Sequence, residues 1–121
     1  MRIVISGEVD LTPANWESAL SGARKLIEAA RREPGCVHYA WTADLSQPGR
    51  IHVFEEWESQ EDLAAHLAGQ PYLGMIAHLS GFGILNAVSR KYRVDHVEPV
   101  YDAEGRPRAD FFTAGCAKSN T

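Results

Sequence analysis

Two alternating runs, Cys36 to Ala43 and Ile51 to Trp57, stand on either side of Ser46-Gln47-Pro48-Gly49. Both are rich in aromatic and β-branched residues, and the tetrapeptide between them is a turn signal, so the centre of the chain is a predicted β-hairpin. A turn symmetric about Gln47 sets Val37 opposite Trp57, Tyr39 opposite Glu55 and Trp41 opposite Val53. Alternate residues of a strand share a face. One face of the hairpin then carries Tyr39, Trp41, Glu55 and Trp57, and the other carries His52, Phe54 and Glu56. A one-residue slip would exchange the two faces.

The flanking segments place this hairpin in a larger pattern. Arg2 to Val9 alternates and reads as a first strand. Thr12 is a predicted helix cap with Pro13 in the first turn, and Leu11 and Trp16 form a hydrophobic staple across the cap. Trp16, Leu20, Ala23, Ile27 and Ala30 recur at helical spacing along one apolar stripe, which Pro34-Gly35 closes. After the hairpin Ser59 caps a second helix, with Asp62 in a near-capping-box position and Leu63, His66 and Leu67 on one face. Gly69 to Pro71 breaks it. Tyr72, Met75, Ile76 and Leu79 mark a further helical stretch that ends at Gly81 and Gly83. Ala87 to Val100 is a predicted fourth strand, with Val88, Tyr92, Val94 and Val97 as its apolar members and Pro99 near its end. The order β-α-β-β-α-β is the ferredoxin-like split βαβ of the α+β class, with an antiparallel sheet. Its helices cover one sheet face, and a second copy of the chain is the simplest cover for the other.

Residues 1–100 form the predicted domain. Residues 101–121 form an arm, with a turn at Asp102-Ala103-Glu104-Gly105, expected to bury Phe111 and Phe112 on the body or on a partner subunit. The last few residues are expected to be disordered.

A chain of 121 residues is long enough for one core. Its net charge of −4 and scattered basic residues, of which Arg24, Lys25, Arg31 and Arg32 are the nearest to a group, argue against nucleic acid as a partner. Cys36 and Cys116 form neither a CxxC pair nor a disulfide framework, which points to a reducing compartment. No apolar run reaches membrane-spanning length, and the N-terminal residues lack a signal-peptide pattern, so the expected setting is cytoplasmic, away from membranes. His38, His52, His78 and His96 lack metal-ligand spacing, and no metal site is expected. Phosphate-loop, GxSxG and HExxH motifs are absent from the sequence.

Two residues stand out chemically. Glu55 is a carboxylate among aromatics, which is costly unless it is hydrogen-bonded or used. His66 lies on the apolar side of a short helix, where it either completes the core or serves as a general base.

Glu33-Pro34-Gly35-Cys36-Val37-His38-Tyr39, Phe54-Glu55-Glu56-Trp57, and Leu63 to His66 followed by Pro71-Tyr72 together resemble antibiotic biosynthesis monooxygenase domains over about Arg2 to Val97. The family includes quinol monooxygenases and heme-degrading relatives, as well as isomerases. The resemblance implies a dimeric α+β barrel with a pocket between sheet and helices in each subunit. It implies an oxygenase without flavin, heme or metal, acting on an aromatic phenol or quinol with dioxygen. His66 is then the candidate base. Glu55 orients it or binds substrate, Trp57 is a pocket wall, and Tyr72, Tyr39 and Trp41 are substrate contacts. The heme-degrading branch carries an Asn on its first strand, and Arg2 to Val9 has none. An isomerase or lyase acting on a small enolisable ketone would use the same base. A non-enzymatic dimeric ligand-binding domain would use His66 and Glu55 only to fill its core.

Overall fold

The structure, a computed structural model, describes residues 1–113. Cys116 and the terminal residues expected to be disordered lie outside the described residues. Four strands, β1 (Arg2–Leu11), β2 (Cys36–Ala43), β3 (Arg50–Trp57) and β4 (Ile84–Val94), form one antiparallel sheet in the order β2-β3-β1-β4. Helices α1 (Trp16–Gly22), α2 (Arg24–Arg31), α3 (Gln60–Leu67) and α4 (Gln70–Ser80) make the connections. This is the ferredoxin-like α+β fold expected from the order of elements.

The hairpin register holds over most of its length. Tyr39 faces Glu55 and Trp41 faces Val53, but a bulge at Val37 places Cys36, not Val37, opposite Trp57. Ile51, Val53, Glu55 and Trp57 all point inward and are buried, as alternation requires. Asp44 organises the turn by accepting hydrogen bonds from the backbone N–H groups of Ser46 and Gln47. Gly49 supplies the left-handed backbone (φ +87°) that reverses the chain.

The first helical segment departs from the expectation of one continuous helix. Pro13–Asn15 forms a 3-10 turn, and Thr12 uses its backbone carbonyl rather than its hydroxyl, accepting from Asn15 N–H at 2.8 Å. The helix then breaks at Ala23. His78 Nε2–H donates to the Ala19 carbonyl at 2.9 Å, the acceptor that the Ala23 N–H would use in an unbroken helix. Ala23 turns to the Leu20 carbonyl instead, and Gly22 leaves room for the imidazole: a Cβ there would meet His78 Cε1 at 2.7 Å. Ser59 caps α3 as expected, accepting from Asp62 N–H while its hydroxyl donates to the Asp62 carboxylate.

Two apolar clusters fill the space between helices and sheet. Ile3, Ile5, Ala30, Tyr39, Trp57 and Leu63 form one. Leu11, Ala19, Ala23, Ile51, Met75 and Leu79 form the other, and Trp41 and Ile27 pack against both. Leu67, expected on a buried face, is 44% exposed, because α3 turns only Leu63 and His66 fully inward.

β4 begins earlier than expected and ends at Val94, so Val97 and Pro99 lie beyond it. All of it but Val94 is exposed. The segment after it folds on itself. Glu98 accepts from the backbone N–H groups of Phe112 and Thr113 and from the Thr113 hydroxyl, and Asp102 accepts from Glu104 and Arg106 N–H. This arm leaves Val97, Val100 and Tyr101 in solvent, and Phe111, expected to be packed, is 75% exposed within the single chain. Among the described residues no helix is long and apolar enough to cross a membrane.

Candidate active site

A cavity of about 220 Å³ opens between α4 and the sheet, at the seam of the two clusters. Tyr39, Trp41, Val53 and Glu55 from the hairpin line it on one side, and Tyr72, Met75, Ile76 and Leu79 of α4 cover it. Gly7, Glu8 and Val9 of β1 and Ile84, Ala87, Val88 and Ser89 of β4 complete the lining. The walls are mainly apolar, and Glu55 is the carboxylate that β3 turns into them.

Glu55 is 8% exposed. Trp57 Nε1–H donates to its Oε1 at 2.9 Å, which leaves Oε2 for whatever occupies the cavity. Burial raises the Glu55 carboxyl above its ordinary value; the indole bond and the nearby His66 pull the other way without cancelling it. A carboxylate in this state is a stronger base than one in water.

His66 stands behind Glu55 and does not line the cavity. It is 1% exposed and packed among three aromatics, with ring centroids 4.6 Å from Trp57, 5.3 Å from Tyr39 and 5.8 Å from Tyr72. Its Nδ1 is 2.6 Å from Glu33 Oε1. Its Nε2 is buried without a hydrogen-bond partner among the described residues and faces Glu55 Oε1 at 3.9 Å. Trp57, expected as a pocket wall, is fully buried behind the cavity and acts on it through Glu55.

The structure therefore brings Tyr39, Glu55, Trp57, His66 and Tyr72 into one cluster. Trp41 lies farther along the cavity, its indole N–H buried without an acceptor among the described residues. Burial drives the Tyr39 hydroxyl far above its ordinary value, so it stays protonated and can only donate or accept a hydrogen bond. Among the described residues no group of three or more His, Cys, Asp or Glu could hold a metal ion.

Sequence reasoning noticed Glu33 only as part of a motif. The pairing of Cys36 with Trp57 carries the α2–β2 connection to the end of the sheet where α3 begins, and that brings Glu33 to His66. The contribution of β4 to the lining was also missed, because it depends on the β1–β4 register.

The antibiotic biosynthesis monooxygenase family model matches residues 2–77. The fold is shared with a proposed antibiotic biosynthesis monooxygenase of Deinococcus radiodurans (TM-score 0.75, 21% identity, 83% of this chain and 99% of that one). A conserved protein of Methanosarcina mazei superposes with a TM-score of 0.70 at 22% identity, covering 77% of this chain and 92% of the other. At such identities the likeness speaks for the fold. An uncharacterized protein of Synechocystis is 30% identical over 64 residues, 53% of this chain, and the match spans 44% of that protein. With the family model covering well over half of the chain and the fold shared with such structures, the chain belongs to the antibiotic biosynthesis monooxygenase family.

Proposed function

We propose that the protein is a cofactor-independent monooxygenase acting on an aromatic phenol, quinol or enolisable polycyclic ketone. One observation carries the reading: a buried carboxylate, raised in basicity, faces a small aromatic-lined cavity. Glu55 takes the acidic proton of the substrate, with His66 directly behind it. Tyr39, Tyr72 and Trp41 hold the ring system, and the apolar walls exclude water. The resulting anion passes an electron to dioxygen, and the radical pair combines to a peroxide. Return of one proton and loss of water leave a new carbonyl, so that R2CH2 and O2 become R2C=O and H2O.

Oxygen consumption measured with anthrone, without added flavin or metal, tests this. Saturable uptake that is lost in Glu55→Gln and strongly reduced in His66→Ala is expected. Full activity in Glu55→Gln would refute the assignment. An isomerase acting on an enolisable ketone would use the same carboxylate, and turnover under argon separates the two readings.

The working unit is proposed to be a homodimer. β4 exposes Ile84, Leu85, Val88 and Tyr92, and the arm beyond it adds Val97, Val100, Tyr101 and Phe111. A second copy of the chain would cover these apolar side chains. The arm is then a contact with the partner subunit, and sedimentation equilibrium measures the stoichiometry.

A further inference from the structure

We propose that Glu33, His66 and Glu55 form a proton relay that joins the cavity to solvent, with Glu33 as its outer terminus. The proposal deepens the function above and rests on a substrate that surrenders a proton to Glu55. Exposure grades along the three groups in the way a conduit requires. The Glu55 side chain is 10% exposed and borders the cavity, that of His66 is 0% exposed, and that of Glu33 is 19% exposed at the surface. The imidazole is the only one of the three with two titratable nitrogens, and each nitrogen addresses a different carboxylate.

A carboxylate accepts, and this sets the direction of the bond to Glu33. At 2.6 Å the contact between Nδ1 and Glu33 is a short, charge-assisted hydrogen bond, with Nδ1–H donating. That leaves Nε2 to meet Glu55, and it is this nitrogen that lacks a partner among the described residues. The 3.9 Å gap to Glu55 Oε1 is about 1 Å longer than a hydrogen bond. A modest swing of Glu55 toward His66, as a ligand presses on it from the cavity, closes the gap. The ring is already held by Glu33 on one side and by Trp57 against its face.

Proton bookkeeping then balances. The substrate proton passes to Glu55 and from its Oε to His66 Nε2, while the Nδ1 proton moves to Glu33 and from there to water. One proton enters at the cavity and one leaves at the surface, and the imidazole ends as the other tautomer. The reverse passage returns the proton that the peroxide needs. The other groups around the ring do not compete. Tyr39 from β2 is held protonated by burial, Tyr72 from α4 meets the ring edge-on, and burial followed by the two carboxylates pushes the Cys36 thiol up.

The test needs no substrate. In 15N-labelled, ligand-free protein the His66 Nδ1–H should give a low-field proton resonance, and its exchange with water can be measured by saturation transfer. Glu33→Gln keeps the length and an acceptor oxygen but cannot carry the proton. We expect exchange at least about tenfold slower in it, with the fold retained in its backbone amide spectrum. Glu33→Asp retains the acid one methylene farther away, and its exchange should fall between the two. Equal exchange rates in wild type and both variants would overturn the relay, as would a His66 whose Nδ1 carries no proton. Absence of oxygen uptake with anthrone would count against the proposed function alone, because ring N–H exchange is read on the free protein.

Discussion

Glu55→Gln should make the protein more stable as the pH rises, even as it abolishes activity. Glu55 is buried and has one hydrogen-bond donor within reach among the described residues, the Trp57 indole at 2.9 Å. An ionised carboxylate needs several donors, and a buried acceptor left short costs about 1–3 kcal/mol. Glutamine has the same shape, and its carbonyl still accepts from the indole, giving up about 1 kcal/mol of charge assistance. The net is a gain of about 1 kcal/mol near pH 8, or a rise of roughly 3–5 °C in Tm for a domain of this size. The pH dependence has a definite sign. Glu55 has its folded-state pKa raised, so it contributes stability below the unfolded value that is lost as the pH rises through the folded one. The amide in the variant does not titrate. The two proteins should therefore melt together near pH 4 and separate, with the variant above, toward pH 8. Scanning calorimetry in steps of one pH unit measures the difference. A variant that is less stable at pH 8, or a difference that narrows with rising pH, would refute the claim that burial dominates at this carboxylate.

Trp57→Phe removes the donor and part of a fully buried side chain, and should cost about 3 kcal/mol in chemical denaturation at pH 8. Because the indole bond favours the ionised carboxylate, the cost should shrink as the pH falls through the Glu55 pKa. The arm offers a separate test at Glu98. Burial pushes its carboxyl up, but hydrogen bonds from Thr113, His96 and Phe112 outweigh this and hold it down to about 2. A group with a depressed pKa gives its stability above the unfolded value and loses it as the pH falls through the folded one. Amide protection of Phe112 and Thr113 should persist to about pH 4 and vanish toward pH 2, whereas Glu98→Gln should weaken it already at neutral pH.

The centre of the chain was the most legible part. Alternation and a short turn suffice to set Tyr39 against Glu55 and Trp41 against Val53, since the hairpin is a local structure. The bulge at Val37 was invisible because nothing in a β-branched residue marks it as unpaired. The helix break at Ala23 was equally hidden: it depends on His78 taking the carbonyl of Ala19, 59 residues before it. The same distinction divides the site. Glu55 and His66 stand out as polar residues in apolar patterns, and that contrast survives in one dimension. Glu33 looks like any helix-end carboxylate until the fold brings it 2.6 Å from His66. Its significance lies in a contact across 33 residues rather than in its own surroundings in the sequence.

β4 has a second consequence. One part of it lines the cavity, and its outer edge carries no neighbouring strand in the sheet order. Whatever pairs with that edge fixes the backbone at Ala87, Val88 and Ser89, and so the width of the cavity. Whatever fills the cavity braces the same strand for pairing. The two equilibria share a free energy, and the coupling is reciprocal. Ligand affinity should therefore rise with protein concentration, and added ligand should tighten self-association by the same factor.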